Sequence, residues 1–259
     1  MPTLPDETFF HLLADKAGAV ILPHFRAVLD VKNKSDDRFD PVTVADKSAE
    51  SVIRAEIRAM FPQHGILGEE EGAERLDASH VWVIDPIDGT RAFITGLPTW
   101  GVLIGLQHQG RSERGLMSQP FTGERFFGDG TSARYRGPDG ERPLKTRRCS
   151  DLSQATVLTT TPALFNDQER VLYDAIEADA RLNRYGLDCY GYAMVASGFA
   201  DIVLESGLQA YDIAALIPVI EGAGGRVTNW QGEPADQGGQ VLATGDLKLH
   251  DLVLRRLNP

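Results

Sequence analysis

The chain has 259 residues, 42% of them hydrophobic and 24% charged, which is typical of a globular protein large enough for one large domain or two lobes. Its formal net charge of −11 argues against nucleic acid as the main ligand, because phosphate backbones are bound by clustered Lys and Arg. No apolar run approaches the roughly 20 residues that cross a bilayer, so we expect no membrane association.

The terminal segment and the cysteines bear on the compartment. Residues 1–7 are acidic where a signal peptide would be basic, so we expect no export. Cys149 and Cys189 lie far apart and form no Cys-x-x-Cys pattern, which is typical of thiols in a reducing environment rather than of a disulfide or a catalytic pair. We therefore expect a cytoplasmic protein.

Helical periodicity dominates the first 61 residues. Apolar side chains recur at helical spacing over residues 7–29 and 43–61, with Pro23 expected to kink the first helix near its end. The polar residues 30–42 between them are expected to form a loop. The strand-like runs that follow are 66–67, 81–84, 102–106, 115–118 and 125–127, with short hairpin strands expected within 128–145.

From about residue 150 the pattern changes to alternating strands and helices. This predicts a C-terminal α/β lobe over residues 148–259, which completes the active site of a metal-binding N-terminal α+β lobe over residues 1–147 with a mainly antiparallel sheet. The predicted helices of the second lobe are 168–180, 192–197, 212–222 and 248–257. Its predicted strands are 156–160, 182–185, 201–204 and 241–244.

The segment Asp85-Pro86-Ile87-Asp88-Gly89-Thr90 follows the apolar run 81–84 and has the strongest chemical signal in the chain. Two carboxylates three residues apart at a strand end can hold a hard divalent cation. The amides of Gly89 and Thr90, at an expected helix N-terminus, can hold an anion. Neighbouring cation and anion sites suggest metal-assisted phosphate chemistry.

Two further acidic groups follow other strands. Three glutamates occupy residues 69–71, and Asp212 opens an expected helix beyond the strand that ends at Glu205. Each acid has a simpler interpretation alone: Asp212 as a helix N-cap, Asp88 as a turn residue before glycine, and the glutamates as a solvated face. Together they favour a divalent metal site.

Charge narrows the identity of the ion. Four converging carboxylates and a phosphate monoester would bring about −6 of charge, which two or three Mg²⁺ ions would offset. A ligand set made only of oxygen favours Mg²⁺ over Zn²⁺ or Cu²⁺. The sequence contains neither a Gly-x-x-x-x-Gly-Lys-Ser/Thr loop nor a Gly-x-Ser-x-Gly elbow. Hydrolysis by a metal-activated water is the interpretation that remains.

Three motifs resemble those of the inositol monophosphatase superfamily. They are Gly68-Glu69-Glu70, the segment 85–90 and Tyr211-Asp212-Ile213-Ala214-Ala215, and the resemblance extends from Asp46 to the Gly222–Gly225 turn. It implies a layered α-β-α-β-α sandwich, Mg²⁺-dependent hydrolysis of a small phosphate monoester, and a homodimer.

The resemblance also implies a role for each matching acid. Glu69 and Asp85 would bind the activating metal together with the backbone carbonyl of Ile87. Asp85, Asp88 and Asp212 would bind a second metal near the leaving group. Glu69 would support a third metal.

Other matching residues would handle the water and the phosphate. Asp46 and Thr90 would orient and deprotonate the attacking water, and the amides of Gly89 and Thr90 would bind the phosphate. Asp46 has an alternative structural role, because three residues after Thr43 it can complete a capping box. Lys34 would lie on a loop that closes over the metals, or is an ordinary surface lysine.

Two features depart from the family pattern. Tyr211 stands where inositol-acting members usually have tryptophan. Pro218 lies inside the predicted helix 212–222, where it should cause a kink or remove a hydrogen bond. Neither change removes a metal ligand.

The choice of phosphate ester depends on the pocket rather than on the metals. Within the family the chain most resembles the histidinol-phosphate phosphatase branch, which implies L-histidinol phosphate, with its ammonium group and imidazole, as the substrate. Asp188 and Glu205 would suit these groups better than a polyol, although Asp188 could instead cap a helix and Glu205 could be a surface acid. We therefore expect hydrolysis of L-histidinol phosphate to L-histidinol and phosphate, a step of histidine biosynthesis. The tracts most similar to the histidinol-phosphate phosphatase branch are 91–101, 118–120, 186–190 and 205–212.

Alternatives to this substrate stay open. One is an inositol-1-phosphatase or a promiscuous sugar-phosphate phosphatase that uses the same metals, and a bisphosphate nucleotidase is less favoured. An alternative of a different class is a binding or regulatory protein on this scaffold.

Overall fold

The computed structural model describes residues 4–27, 32–33 and 41–258, with the backbone alone at 32–33 and 41–42; Lys34 lies outside the described residues. The helices are Glu7–Ile21 (α1), Val44–Met60 (α2), Thr90–Ile94 (α3), Asp167–Asp179 (α4), Asp188–Ala196 (α5), Ala210–Ile213 (α6), Leu216–Gly222 (α7) and Leu247–Leu257 (α8). The strands of the first half are Lys32–Asn33 (β1), Pro41–Val42 (β2), Gly65–Gly68 (β3), Gly72–Glu74 (β4), His80–Asp88 (β5), Gly101–His108 (β6), Arg111–Gln119 (β7), Glu124–Gly128 (β8), Ala133–Gly137 (β9) and Gly140–Pro143 (β10). The later strands are Thr156–Thr159 (β11), Leu182–Tyr185 (β12), Ile202–Leu208 (β13), Arg226–Thr228 (β14) and Gly239–Thr244 (β15).

Helices α1 and α2 cover one face of the larger sheet. The Asp6 carboxylate caps α1. That helix ends at Ile21, earlier than the predicted span of 7–29, because Pro23 has no N–H with which to continue the helical hydrogen bonds, and a short 3₁₀ turn follows. Helix α2 agrees with the predicted 43–61. Its apolar face, packed against α1 and the sheet, consists of Ala45, Ala49, Ile53 and Ile57.

The larger sheet has eight strands in the order β10-β9-β8-β7-β6-β5-β3-β4. Neighbouring strands run antiparallel except β3 and β5, which run parallel. The predicted mainly antiparallel sheet is confirmed. The sequence does not predict β4, because three residues, Gly-Ala-Glu, are too short to show an apolar alternation.

The smaller sheet has five strands in the order β12-β11-β13-β15-β14. Strand β11 runs parallel to β12 and β13, as in an α/β unit. Strand β15 runs antiparallel to β13 and β14, so the sheet is mixed. The parallel part matters for the site, because the carboxyl ends of β11 and β13 meet at the same edge.

Helices and sheets alternate in five layers. Helices α1 and α2 lie outside the larger sheet, α5 and α7 lie between the two sheets, and α4 and α8 cover the outer face of the smaller sheet. The central core unites both sheets, since Phe126, Tyr192 and Val203 belong to one buried cluster. The α-β-α-β-α sandwich is confirmed, and the division into lobes after residue 147 stays a prediction. Among the described residues, no helix combines the length and apolar content that crossing a membrane requires.

The predicted helix 212–222 is divided in the structure into α6 and α7. Pro218 lacks the N–H that would donate to the carbonyl of Ala214, so the helical hydrogen bonding is interrupted there. The chain at this break passes close to the larger sheet. A Cβ on Gly115 of β7 would overlap the backbone of Ala215, so the close approach requires glycine.

Candidate metal and phosphate site

The carboxylates of Asp85, Asp88 and Asp212 converge at the end of β5. One oxygen of each lies within 4.8 Å of the other two. Residues three apart on a regular strand point to opposite faces of a sheet. The pairing with β6 shifts between Asp85 and Asp88, so β5 has one extra residue there, and this bulge brings both carboxylates to one site.

Backbone amides donate to all three of these carboxylates. The Ile87 amide donates to Asp85 Oδ1 at 3.0 Å. The Cys189 amide, in the first turn of α5, donates to Asp88 Oδ2 at 2.7 Å. The Gln209 amide donates to Asp212 Oδ2 at 2.6 Å. Gln209 is the N-cap of α6 and Asp212 is the acid of its capping box, so the simpler interpretation of Asp212 as an N-cap is wrong. One oxygen of Asp212 serves the helix end while the carboxylate belongs to the acidic cluster.

A cavity beside this cluster is lined by Asp88 and Asp212. Glu69 lines the same cavity from the turn between β3 and β4. Its amide donates to the carbonyl of Ile84 on β5 at 3.2 Å. The next two amides, of Glu70 and Glu71, donate to the Glu50 carboxylate at 2.7 and 3.0 Å. The backbone of the three glutamates therefore forms an ordered turn beside the site, while the Glu71 side chain, 38% exposed, still reaches solvent.

A buried ion pair on α2 supports this turn. Arg54 Nε donates to Glu50 Oε1 at 2.7 Å, and the two side chains are only 2% and 0% exposed. Arg54 also donates to the carbonyl of Gly72 beyond the turn. A Cβ on Gly68 would overlap the Glu50 carboxylate, so this contact requires glycine. Sequence reasoning missed the pair, although a Glu and an Arg four residues apart beside an apolar helix face is a visible signal.

Asp46 uses one oxygen at the start of α2 and leaves the other without a partner. Its Oδ2 accepts from the amide and the hydroxyl of Thr43 at 2.9 and 2.6 Å, which confirms the capping box. Its Oδ1 is buried and has no hydrogen-bond partner among the described residues. Burial and, to a smaller extent, the charge of Glu69 raise the pKa of Asp46, against the hydrogen bonds from Thr43. The catalytic role of Asp46 stays a prediction.

The turn after β5 presents a hydroxyl and a left-handed glycine to the cavity. Thr90 Oγ1 donates to the carbonyl of Ile87 at 3.0 Å, and a carbonyl oxygen keeps a second lone pair for another partner. Gly89 has a φ of 81°, a conformation that favours glycine. Gly89 and Thr90 both line the cavity at the start of α3, as expected.

The converging acids raise one another's pKa. Burial and then the charges of Glu69 and Asp88 raise the pKa of Asp85 well above its usual value. Burial and then the charges of Asp188 and Asp212 do the same to the pKa of Asp88. Burial also raises the pKa of Asp212 to about 7. A divalent cation would relieve this repulsion, and a set of buried carboxylate oxygens fits Mg²⁺.

Asp188 and Glu205 lie on the wall of the same cavity, whose volume is about 290 Å³. Thr160 joins them, because its amide donates to Glu205 Oε1 at 2.6 Å and its hydroxyl to Asp188 Oδ1 at 3.4 Å. Burial raises the pKa of Glu205 to about 8 and the pKa of Asp188 to about 6. Glu205 is 2% exposed, so its interpretation as a surface acid is wrong. Sequence reasoning missed Thr160, and the signal that could have found it is its place just after β11, beside the parallel strand that bears Glu205.

Asp188 has an uncommon backbone conformation. Its φ is 46°, in the left-handed region that side chains other than glycine seldom adopt. Helix α5 begins at Asp188, earlier than the predicted 192–197, and Leu187 is its N-cap, so the interpretation of Asp188 as a cap is wrong. A Cβ on Gly89 would come within 3.2 Å of the Asp188 side chain, which places this carboxylate directly against the phosphate-binding turn expected from the sequence.

Comparison with known proteins identifies the family. Residues 5–258 match the model of the inositol monophosphatase family. The chain belongs to this family. A chloroplastic bifunctional phosphatase of Arabidopsis thaliana is 42% identical over 257 residues, which cover 95% of this chain and 72% of that protein. A histidinol-phosphatase of Chlorobaculum parvum is 36% identical over 93% of this chain and 92% of that protein.

A solved structure has the same fold. An inositol monophosphatase from Zymomonas mobilis is 40% identical, covers 97% of each chain and superposes with a TM-score of 0.87. Membership of the inositol monophosphatase family and the acidic cluster together support metal-dependent hydrolysis of a phosphate monoester. These relatives are named for different substrates, so the choice of substrate has to be argued from the cavity.

Proposed function

We propose that this member of the inositol monophosphatase family hydrolyses L-histidinol phosphate to L-histidinol and phosphate with Mg²⁺ as its cofactor. The observation that carries the proposed substrate is the pair Asp188 and Glu205, which Thr160 joins on the cavity wall beside the three-aspartate cluster. L-Histidinol phosphate bears an ammonium group and an imidazole, whereas an inositol phosphate offers only hydroxyl groups beside its phosphate.

Electrostatics favours the cationic substrate at this wall. Burial raises the pKa of both Asp188 and Glu205, and an ammonium group within hydrogen-bond reach would favour their ionised forms. A hydrogen bond between charged groups contributes about 1.5–3 kcal/mol. A polyol would offer the same buried carboxylates only neutral hydroxyl groups, which form weaker hydrogen bonds with them than an ammonium group does.

The metal roles follow the family motifs. Asp85, Asp88 and Asp212, with Glu69 and the carbonyl of Ile87, would hold two or three Mg²⁺ ions. When bound, the ions would offset the charge of the phosphate, make a water more acidic and stabilise the leaving oxygen. The mutual repulsion of the acids supports this assignment.

The side chains and amides of the chain would orient the reactants. Asp46 Oδ1, buried and without a partner among the described residues, would accept the proton of the attacking water while the Thr90 hydroxyl orients that water. A carboxylate whose pKa is raised by burial is a stronger base near neutral pH. The amides of Gly89 and Thr90 would bind phosphate oxygens. The water oxygen bonds to phosphorus, the ester P–O bond breaks, and the departing alkoxide takes up a proton.

Phosphate release with Mg²⁺ tests the proposed substrate. L-Histidinol phosphate, inositol 1-phosphate and a nucleoside 3′,5′-bisphosphate are compared at matched concentrations. We expect a preference of about 100-fold or more in kcat/KM for L-histidinol phosphate, which corresponds to about 2.7 kcal/mol. Similar values for L-histidinol phosphate and inositol 1-phosphate would overturn the substrate assignment.

Inositol phosphate is the second candidate. It is favoured by the 40% identity to the Zymomonas mobilis protein, whose structure is described as that of an inositol monophosphatase. The same assay separates the two candidates, because a polyol phosphatase should not prefer a substrate with an ammonium group.

A further inference from the structure

Four aromatic rings form a continuous stack at the start of β5, at the opposite end of that strand from the acidic cluster. The rings are, in order, Phe61, His64, His80 and His108, with centroids 4.9, 5.0 and 4.5 Å apart and planes 21°, 20° and 10° from parallel. His80 and His108 are direct cross-strand partners on β5 and β6. Two imidazoles are therefore held side by side near the surface.

Glu113 of β7 completes a group of three possible metal ligands. One nitrogen of His80, one nitrogen of His108 and one oxygen of Glu113 all lie within 4.8 Å of one another. The Glu113 Oε2 atom is buried and has no hydrogen-bond partner among the described residues. A buried carboxylate oxygen without a partner, next to two imidazoles, indicates a missing ligand such as an ion or a water.

The surroundings of His64 and His80 favour the unprotonated imidazole, which is the form that binds metals. The Trp82 indole Nε1 donates to His64 Nδ1 at 3.1 Å, and only an unprotonated nitrogen can accept that bond. Burial and then the neighbouring His108 lower the pKa of His80, against the charge of Glu113. Ser79 Oγ lies 3.0 Å from His80 Nδ1 and fixes the orientation of that ring.

We propose that His80, His108 and Glu113 form a second metal site, which binds a borderline transition-metal ion of the Zn²⁺ class rather than Mg²⁺. Two imidazoles and one carboxylate are a ligand set that Zn²⁺ uses, with the fourth position left for water. This site is separate from the acidic cluster, because His80 and Asp85 are five residues apart on one strand, or roughly 17 Å.

Metal binding requires a movement of one ring. The lone pairs of two stacked imidazoles lie in two separate, nearly parallel planes, so both cannot point at one ion while the rings remain stacked. His108 is exposed and can turn, whereas His80 is half-buried and held by Ser79. The bound ion would then link β5, β6 and β7 near the turn between β6 and β7 and stabilise that end of the sheet.

Calorimetric titration of the metal-free full chain with Zn²⁺, in excess Mg²⁺ to occupy the acidic cluster, tests the site. The chain carries Cys149→Ser, so that the half-exposed thiol cannot bind the ion. We expect one Zn²⁺ per chain, with the dissociation constant raised more than about tenfold in both His108→Gln and Glu113→Gln. His24→Gln, a half-buried histidine outside the ring stack, is the matched control and should bind Zn²⁺ unchanged.

Absorption spectroscopy with Co²⁺ gives a second readout of metal binding that does not depend on the heat measured by calorimetry. Co²⁺ in place of Zn²⁺ should give visible d–d absorption that both site variants lose and His24→Gln keeps. Melting curves in EDTA establish that each variant is folded, and either variant alone decides the question if the other fails to fold. Absence of Zn²⁺ binding in excess Mg²⁺, or binding that neither site variant weakens, would overturn the proposal and leave the ring stack as packing.

Discussion

Two groups of buried carboxylates lie beside each other and differ in what surrounds them. Asp85, Asp88 and Asp212 converge within 4.8 Å and raise one another's pKa. Asp188 and Glu205 share the donor residue Thr160 instead. The first group would gain most from divalent cations, whereas the second, joined through Thr160, would suit a cationic substrate. Close convergence of three carboxylates, rather than burial alone, distinguishes the group proposed to hold metals from the pair proposed to bind the substrate, and the charge of Asp188 adds to the repulsion at Asp88.

The largest expected effect comes from removing one charge of the converging group. Asp88→Asn should lower kcat about 1,000-fold or more for every substrate, because it weakens metal binding while an amide oxygen can still accept from Cys189. Steady-state phosphate release at saturating Mg²⁺ measures the loss. Asp139→Asn, on an exposed hairpin, is the control and should keep full activity. Near-normal activity in Asp88→Asn would refute the metal role of the cluster.

A smaller and substrate-selective effect is expected at Asp188, on the cavity wall. Asp188→Asn should raise KM for L-histidinol phosphate by about 10- to 100-fold and change KM for inositol 1-phosphate little. Asparagine tolerates a positive φ, so the substitution removes the charge while it keeps the backbone of Asp188. Initial-rate kinetics with both substrates measure the effect. Equal changes for both substrates would show that Asp188 does not select the cationic substrate.

The contribution of Glu50 to the position of the turn that bears Glu69 can be tested by a substitution of Gly68. Gly68→Ala should destabilise the fold by about 1–3 kcal/mol, because the added methyl group overlaps the Glu50 carboxylate. It should also raise the Mg²⁺ concentration needed for half-maximal activity, since the displaced turn bears Glu69. Denaturant unfolding and Mg²⁺ titration measure the two effects. Gly191→Ala, inside α5 with ordinary contacts, is the control. An unchanged Mg²⁺ requirement in Gly68→Ala would show that the contact between Gly68 and Glu50 does not affect metal binding.

The smallest effect is a pH dependence of the stabilisation by Mg²⁺. An unfolded Asp titrates near about 3.9, whereas burial raises the pKa of Asp212 to about 7 in the fold. The metal-free fold therefore binds protons that the unfolded chain has lost, and its stability falls as pH rises between these values. Melting temperatures with and without Mg²⁺ should diverge by a few degrees over this range, and less so in Asp88→Asn. A difference that stays constant with pH would contradict the repulsion within the cluster.

The metal-site acids could be predicted from the sequence because each lies near or just beyond the end of a strand. The bulge that brings Asp85 and Asp88 to one side could not, since it depends on how β5 pairs with a later strand. Contacts between residues far apart in the sequence could not be predicted either. Glu50 binds the amide of a residue 20 positions away, and Thr160 binds Glu205 across 45 positions. Periodicity reports only local neighbours.

The helix boundary near Pro218 is also only partly predictable from the sequence. The sequence predicts a disturbance from Pro218, and the structure places it four residues earlier, because the missing hydrogen bond belongs to the carbonyl of Ala214. The resulting short helix α6 makes Asp212 the acid of a capping box led by Gln209. Local rules therefore identified the residue and its chemistry but not the helix end that holds it.

The most direct test of the division between the two carboxylate groups is the ratio of kcat/KM for L-histidinol phosphate to that for inositol 1-phosphate, measured in the wild type, Asp188→Asn and Asp88→Asn. We predict a wild-type ratio of about 100 or more, a ratio that falls at least about tenfold in Asp188→Asn, and a ratio that is unchanged in Asp88→Asn although both values of kcat/KM are low. A wild-type ratio near one, or a ratio that Asp188→Asn leaves unchanged, would contradict this division of roles between the two carboxylate groups.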